Sequence, residues 1–148
     1  MAKSSRRKAP SKLPSVAVSA PSGKTPRADS PDDNYVAWRF GMIDFSGPWC
    51  WTTLQGDKKK EIYGKLGEYE RRRWTEFAGK GGTKNIPVAN LGREAKLRLR
   101  DLDKDDVDGS LWELRFSNKE RIWGVRQGDI MHFLWWDPLH EVCPSKKR

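Results

Sequence analysis

The sequence has few residues suited to holding a metal ion, and it has no long apolar run. Its two cysteines and two histidines stand at positions 50, 132, 140 and 143, without the paired spacing of a closed zinc site. No stretch approaches the ~20 consecutive apolar residues that a helix needs to span a bilayer. We therefore expect no bound metal, no cofactor and no membrane segment.

Two cysteines also leave little scope for stabilisation by disulfides. Two cysteines suffice for one disulfide, between Cys50 and Cys143, but the aromatic-rich segments around them can form a core without it. We interpret both as reduced thiols, which predicts a cytoplasmic protein.

The composition changes near residue 33. Residues 1–33 contain five of the nine prolines, seven serines and no aromatic residue, with seven basic and three acidic side chains. Such a segment buries too little apolar surface to offset its conformational entropy, so we expect a disordered basic tail. A transit peptide, a nucleic-acid-binding arm and a plain solubilising segment all fit this composition. Residues 34–148 hold all eight Trp, five Phe and three Tyr and are predicted to form the folded domain.

Hydrophobic periodicity predicts six elements in this domain. Apolar residues alternate over 36–42, 111–116 and 121–126, which indicates half-buried strands, and 130–136 is nearly all apolar, as in a central strand. Helical spacing extends over 57–77 and 87–102, and 140–143 is a candidate for a short final strand or an edge extension. The order β–α–α–β–β–β predicts an α+β fold, with a helical hairpin on one face of a twisted, mostly antiparallel sheet.

Three segments of the domain carry short motifs. Leu111-Trp112-Glu113-Leu114-Arg115 is followed by Arg121-Ile122-Trp123-Gly124-Val125, and Glu141-Val142-Cys143 stands near the end. Together with the predicted element order, these motifs resemble the RelE/ParE toxin superfamily, in particular its HigB/Gp49-like group. The resemblance covers about residues 34–148. The end of the chain, from Arg121 to Arg148 with Leu134-Trp135-Trp136-Asp137-Pro138, also resembles a group of actinobacterial and actinophage proteins.

The resemblance implies a type II toxin that binds RNA on the ribosome and cleaves it without a metal ion, with a small antitoxin protein as partner. Cleavage needs a base for the 2′-OH, an acid for the leaving 5′-oxygen and cations beside the phosphate. Enzymes of this superfamily use clustered basic residues for this chemistry. The predicted catalytic residues are Arg115, Arg121, His140 and Glu113, with Glu141 as an alternative base.

Other residues near these positions are candidates for binding the nucleic acid. Arg98 and Arg100 end the second predicted helix, and Arg126 follows Arg121 on the same strand. Unpaired bases stack on aromatic rings in many RNA-binding sites. We expect this role for Trp123 and Trp135, with Trp136 as a further candidate.

The predicted site requires a particular geometry. Arg115 and Arg121 are six residues apart around a short turn, which predicts a cross-strand pair on one face of a hairpin. His140 follows the next strand, and it reaches the same end of the sheet only if Asp137-Pro138 turns the chain back. We therefore expect these three side chains to face one concave basic surface, with an arginine of the second helix at its rim.

Two other functions stay open. Cys143 stands where RNA-cleaving members of the superfamily have a tyrosine or a similar residue, which favours a non-catalytic nucleic-acid-binding or adaptor protein on the same fold, of bacterial or phage origin. The ParE branch shares the fold, lacks the nuclease residues and poisons gyrase, so a gyrase target is a third interpretation.

Overall fold

The computed structural model describes residues 31–77, 82–104 and 109–144. The described residues form three α-helices and a five-stranded mixed sheet, which confirms the predicted α+β class. The strands are β1 (Ala37–Arg39), β2 (Thr83–Pro87), β3 (Ser110–Arg115), β4 (Arg121–Gln127) and β5 (Ile130–Asp137). The helices are α1 (Gly56–Tyr69), α2 (Trp74–Phe77) and α3 (Arg93–Asp101), and single 3-10 turns lie at Pro31–Asp33, Trp51–Thr53 and Val88–Asn90. Residues 1–30 of the predicted tail lie outside the described residues.

The sheet has the strand order β1-β5-β4-β3-β2, with the predicted antiparallel meander β3–β4–β5 at its centre. β1 lies parallel to β5, with Trp38 opposite Met131. β2 lies antiparallel to β3, with Lys84 opposite Glu113. Periodicity does not predict β2, because this strand is short, largely polar and ends in proline.

Both predicted helices are shorter than their apolar spacing indicates. The first ends at Tyr69, because the carbonyl of Arg72 accepts a hydrogen bond from the distant Val36 amide at 3.1 Å. The second was expected to begin at Pro87, but this proline closes β2 and α3 begins at Arg93. In both places pairing with a remote segment replaces helical hydrogen bonds, and no local pattern reports such pairing.

The two longer helices lie on opposite faces of the sheet, which corrects the prediction of a helical hairpin on one face. The chain between α1 and α3 forms the edge strand β2, and it crosses from one side of the sheet to the other. Ile62 and Leu66 of α1 pack in one hydrophobic cluster, whereas Ala95 and Leu99 of α3 pack in another. Alternate strand residues point to opposite faces, so we name these the α1 face and the α3 face. Leu114, Ile122 and Phe133 pack on the α1 face, and Leu111, Trp123 and Trp135 pack on the α3 face.

A β-bulge in β5 connects the sheet to the segment that follows β1. The register between β4 and β5 shifts between Trp123 and Gly124, which leaves Leu134 as the extra residue. The carbonyl of Leu134 accepts hydrogen bonds from the Asp44 amide (3.0 Å) and from the Trp51 indole (3.2 Å). The bulge thus anchors the aromatic segment before α1 to the centre of the sheet.

Candidate functional site

The chain turns back over the α3 face at the end of β5. Asp137 is completely buried, and its carboxylate accepts hydrogen bonds from the Trp123 indole (3.1 Å) and from the amides of Glu141 (2.8 Å) and Val142 (3.0 Å). The C-terminal segment is therefore a turn held by a buried carboxylate, where a final strand was predicted. This turn carries His140 back to the meander, as the predicted site requires.

His140 has an unusual backbone conformation. Its φ of +60° lies in the left-handed region, which costs a residue with a Cβ roughly 1 kcal/mol or more. Its Nε2 lies 3.5 Å from Oε2 of Glu113, and its side chain keeps 20% of its surface exposed. The turn therefore holds the imidazole against β3 while leaving part of the ring open to solvent.

Glu113 and Arg121 form the base of the site. Nε of Arg121 donates to Oε2 of Glu113 (3.2 Å), and Nη1 donates to the carbonyls of Ser117 (2.8 Å) and Glu120 (3.1 Å). Both charged side chains are only 9% exposed. An ion pair buried to this extent needs hydrogen bonds from several sides, so Arg121 is a fixed part of the turn between β3 and β4.

Arg115 lies directly opposite Arg121 in the antiparallel ladder, which confirms the predicted cross-strand pair. Opposed residues share one face of a sheet, so both arginines belong to the same side as Glu113. Arg115 is exposed, whereas Arg121 is buried. Arg115 is therefore the arginine of the pair that is accessible to a ligand.

The predicted catalytic residues converge on one open cleft of about 730 Å³, whose lining includes Glu113, Arg115, Arg121 and His140. Two further cations, Lys84 and Lys119, line the same cleft. Among the described lining residues, four basic side chains minus one carboxylate leave a charge of +3, without counting the imidazole. This excess favours an anion such as a phosphate group.

Sequence reasoning missed the two lysines of the cleft. Lys84 belongs to β2, which periodicity does not reveal, and the pairing of β2 with β3 places it opposite Glu113. Lys119 lies in the turn between the two motif strands, and its position two residues before Arg121 is a signal that could have been used.

Cys143 also lines the cleft. Neither it nor Cys50 forms a disulfide, in agreement with the interpretation as thiols, and the Sγ of Cys143 lies 3.4 Å from the carbonyl oxygen of Asn90.

Arg98 or Arg100 was expected at the rim, but neither is among the described residues that line the cleft. Nε and Nη2 of Arg98 donate to the Asp44 carboxylate at 2.8 and 2.7 Å. Burial by itself would raise the pKa of the Asp44 carboxyl, but hydrogen bonds from Arg98, the Ser46 amide and the Trp135 indole lower this pKa overall. The hydrogen bond to Asp44 raises the pKa of Arg98. Arg98 therefore has a structural partner, and Arg100 is exposed on α3 away from the cleft lining.

Arg126 lies on the opposite face of the sheet from the cleft, which corrects its assignment to the nucleic-acid surface. Its guanidinium carbon lies 4.2 Å from the ring centre of Trp74 and 4.8 Å from that of Trp112. It also pairs with Asp32, and its side chain is only 7% exposed. Arg126 therefore makes cation–π contacts with two adjacent indoles within the fold.

The indoles predicted to stack on bases are buried. Trp123 and Trp135 have no exposed surface, and Trp136 is 2% exposed. Stacking needs an open ring face, so the prediction is wrong for these residues. They are covered because α1 and α3 shield both faces of the central strands. Glu141, the alternative base, accepts a hydrogen bond from the Trp49 indole at 3.3 Å, and it is not among the described residues that line the cleft.

Comparison of the chain with protein-family models, with curated proteins and with solved structures gives no match. The resemblance to the RelE/ParE superfamily therefore stays a prediction. Among the described residues, no helix is both long and apolar enough to cross a bilayer.

Proposed function

We propose that this chain is a RelE-like toxin that binds RNA on the ribosome and cleaves it in the basic cleft without a metal ion. The observation that supports the proposal is the convergence of Glu113, Arg115, Arg121 and His140 in one cleft. An RNA phosphate suits the excess of cations, and an imidazole is the side chain that titrates nearest to neutral pH.

Cleavage would proceed by attack of a ribose 2′-oxygen on the adjacent phosphorus. The P–O2′ bond forms as the P–O5′ bond breaks, which leaves a 2′,3′-cyclic phosphate on one fragment and a 5′-hydroxyl on the other. A base takes the proton of the 2′-OH, and an acid gives a proton to the 5′-oxygen, so protons and charge balance.

His140 is assigned one of these two proton transfers, and water is assigned the other. Glu113 approaches Nε2 of His140 at 3.5 Å, so Nδ1 is the ring nitrogen that would exchange a proton with RNA. Glu113 is then a positioning residue, because it acts through the imidazole. The exposed Arg115 would hold the phosphate and stabilise the charge that develops on its oxygens.

The biochemical test is incubation of the purified full chain with end-labelled single-stranded RNA, with and without ribosomes and with and without EDTA. We expect cyclic-phosphate products that EDTA does not suppress. His140→Ala should lower the rate by about 10²- to 10⁴-fold, the usual contribution of general acid–base catalysis. Lys60→Ala removes an exposed charge on α1 outside the cleft lining, and it should leave the rate unchanged. Intact RNA under all four conditions would contradict cleavage.

A cellular test addresses the toxin role. Expression of the chain alone should stop growth and reduce translation, and a small antitoxin protein should restore both. Normal growth at high expression would contradict this role.

A second candidate is non-catalytic nucleic-acid binding at the same cleft. It is favoured by the bonding of Arg121, whose guanidinium donates to Glu113, Ser117 and Glu120 and is therefore little available to a phosphate. This function predicts an RNA affinity that falls steeply with salt and weakens in Arg115→Ala, without any cleavage product.

A further inference from the structure

A second concave surface, the aromatic groove, opens on the α1 side of the molecule, and none of its described lining residues also lines the basic cleft. It measures about 400 Å³. Its floor includes the buried side chains of Trp51 and Leu54. Phe40, Phe45 and Tyr63 also line it, and they are 51%, 65% and 59% exposed.

Exposed aromatic surface is concentrated at this groove. Six large hydrophobic side chains are exposed among the described residues, and three of them line it. Exposed apolar side chains that cluster, in contrast to scattered ones, mark an interaction site.

The rings at the floor and at one wall are held in place by the core. Phe40 packs edge-on against Phe133 with ring centres 5.3 Å apart, and Trp51 stacks on the same ring at 5.4 Å. The indole of Trp51 also donates to the Leu134 carbonyl at 3.2 Å. These aromatic surfaces are therefore formed before a ligand arrives, which reduces the entropy lost on binding.

We propose that the aromatic groove binds unpaired bases of RNA by stacking, at a site separate from the cleft. This inference rests on the proposed RNA binding and names the part of the RNA that the groove recognises. Aromatic side chains beside a cation are the usual platform for single-stranded nucleic acid. Lys59 is the one charged side chain among the described residues that line the groove, and its ammonium complements a phosphate next to a stacked base.

Charge and size disfavour the other occupants. A second copy related by a twofold axis would bring two Lys59 side chains into one interface, with no acidic residue in the described lining to pair with them. The segment 1–30 carries seven basic residues and one acidic residue, so it would also meet Lys59 with like charge. A volume of about 400 Å³ lies within the range of small-ligand pockets.

The test compares the affinity of the full chain for two short single-stranded probes of equal length, oligouridine RNA and an abasic oligonucleotide. The variant Phe45→Ala/Tyr63→Ala should lose about ten- to hundredfold in affinity for oligouridine and nothing for the abasic probe. The double variant Phe45→Tyr/Tyr63→Phe keeps both rings and should bind oligouridine like the wild type. Leu97→Ala removes an exposed hydrophobic side chain outside the groove, and it is the matched control.

Variants of the cleft separate this inference from the proposed function. Arg115→Ala/Lys119→Ala should lower the affinity for both probes and reduce the slope of log affinity against log salt by about 1.4. The groove variant Phe45→Ala/Tyr63→Ala should leave this slope unchanged. If the cleft variant weakens binding and the groove variant does not, stacking is overturned and RNA binding stands. If the wild type binds neither probe, both proposals fail.

Two further measurements locate the bases and exclude a second copy. Ultraviolet cross-linking of oligouridine followed by mass spectrometry should identify Phe40, Phe45 or Tyr63, and cross-links confined to the cleft would overturn the inference. Sedimentation should show that the groove variant and the wild type have the same mass, whereas a wild-type dimer that the groove variant dissociates would assign the groove to a second copy.

Discussion

Arg98 forms a bidentate ion pair with Asp44, and this pair connects α3 with the segment that follows β1. The Asp44 carboxylate also accepts hydrogen bonds from the Ser46 and Gly47 amides and from the Trp135 indole, and its side chain is 1% exposed. Five donors therefore stabilise a buried carboxylate in its charged form.

The lowered pKa of Asp44 predicts a loss of stability in acid. A carboxyl whose folded-state pKa lies below its unfolded value of about 3.9 stabilises the fold above that pH. This contribution disappears as the pH falls through the folded-state pKa. Asp44→Asn should therefore lower the free energy of unfolding at pH 7 by about 3–5 kcal/mol and flatten its decline below about pH 4. Urea denaturation between pH 7 and pH 3 measures both effects, and parallel pH profiles for the two proteins would contradict the assignment.

Gly124 should tolerate no side chain, because a Cβ there would lie 2.2 Å from the backbone oxygen of His132 on β5. We expect Gly124→Ala to push the two strands apart at the bulge and to cost about 3 kcal/mol of folding stability. Gly64→Ala on α1 is the control, since no described atom beyond its chain neighbours and its own helix backbone would lie within 4 Å of the added Cβ, and it should stabilise the helix by about 1 kcal/mol. Denaturation of both variants checks the opposite signs, and a neutral Gly124→Ala would exclude the close strand contact.

The left-handed backbone conformation of His140 allows its cost in folding stability to be measured separately from its role in cleavage. His140→Gly and His140→Ala both remove the imidazole, so both should lower the rate of RNA cleavage by about the same factor, roughly 10²- to 10⁴-fold. The glycine variant should be about 1 kcal/mol more stable than the alanine variant, because only glycine adopts a φ of +60° without strain. Thermal denaturation of the pair measures the difference, and equal stability would show that the turn is not strained.

Arg126 should matter for stability and not for RNA binding. Arg126→Ala removes the cation that contacts the rings of Trp74 and Trp112, and we expect a loss of about 2 kcal/mol of folding stability. Arg126→Lys keeps the charge and loses the planar stacking, so it should recover only part of that loss. RNA affinity, measured where each variant is folded, should equal that of the wild type. A decrease as large as that of Arg115→Ala would place Arg126 on the binding surface.

Period-two patterns were the most informative part of the sequence. The strands predicted at 111–116, 121–126 and 130–136 match β3, β4 and β5 to within one residue at each end. A short turn between two such strands restricts their register, so the opposition of Arg115 and Arg121 could also be predicted. The sequence predicted the return of His140 to the same cleft only on the condition that Asp137-Pro138 turns the chain back. Whether the chain turns depends on the buried Asp137 and its hydrogen bonds.

The linear pattern of residues was thus sufficient for the α+β class, for the central meander and for the arginine pair at its end. The meander and the arginine pair depend on alternation and turn length within about thirty neighbouring residues, and the class depends also on the helical spacing over 57–77 and 87–102. The pattern was insufficient for β2, for the opposite placement of α1 and α3, and for the partners of Arg98 and Arg126. Those features depend on what covers a side chain, and the covering groups are remote: Asp44 is 54 residues from Arg98, and Asp32 is 94 residues from Arg126. Periodicity indicates to which side of a strand a tryptophan or an arginine points, but exposure is set when distant elements pack on that side. For this reason the buried Trp123 and Trp135 and the exposed Phe45 and Tyr63 could be told apart only in the folded chain.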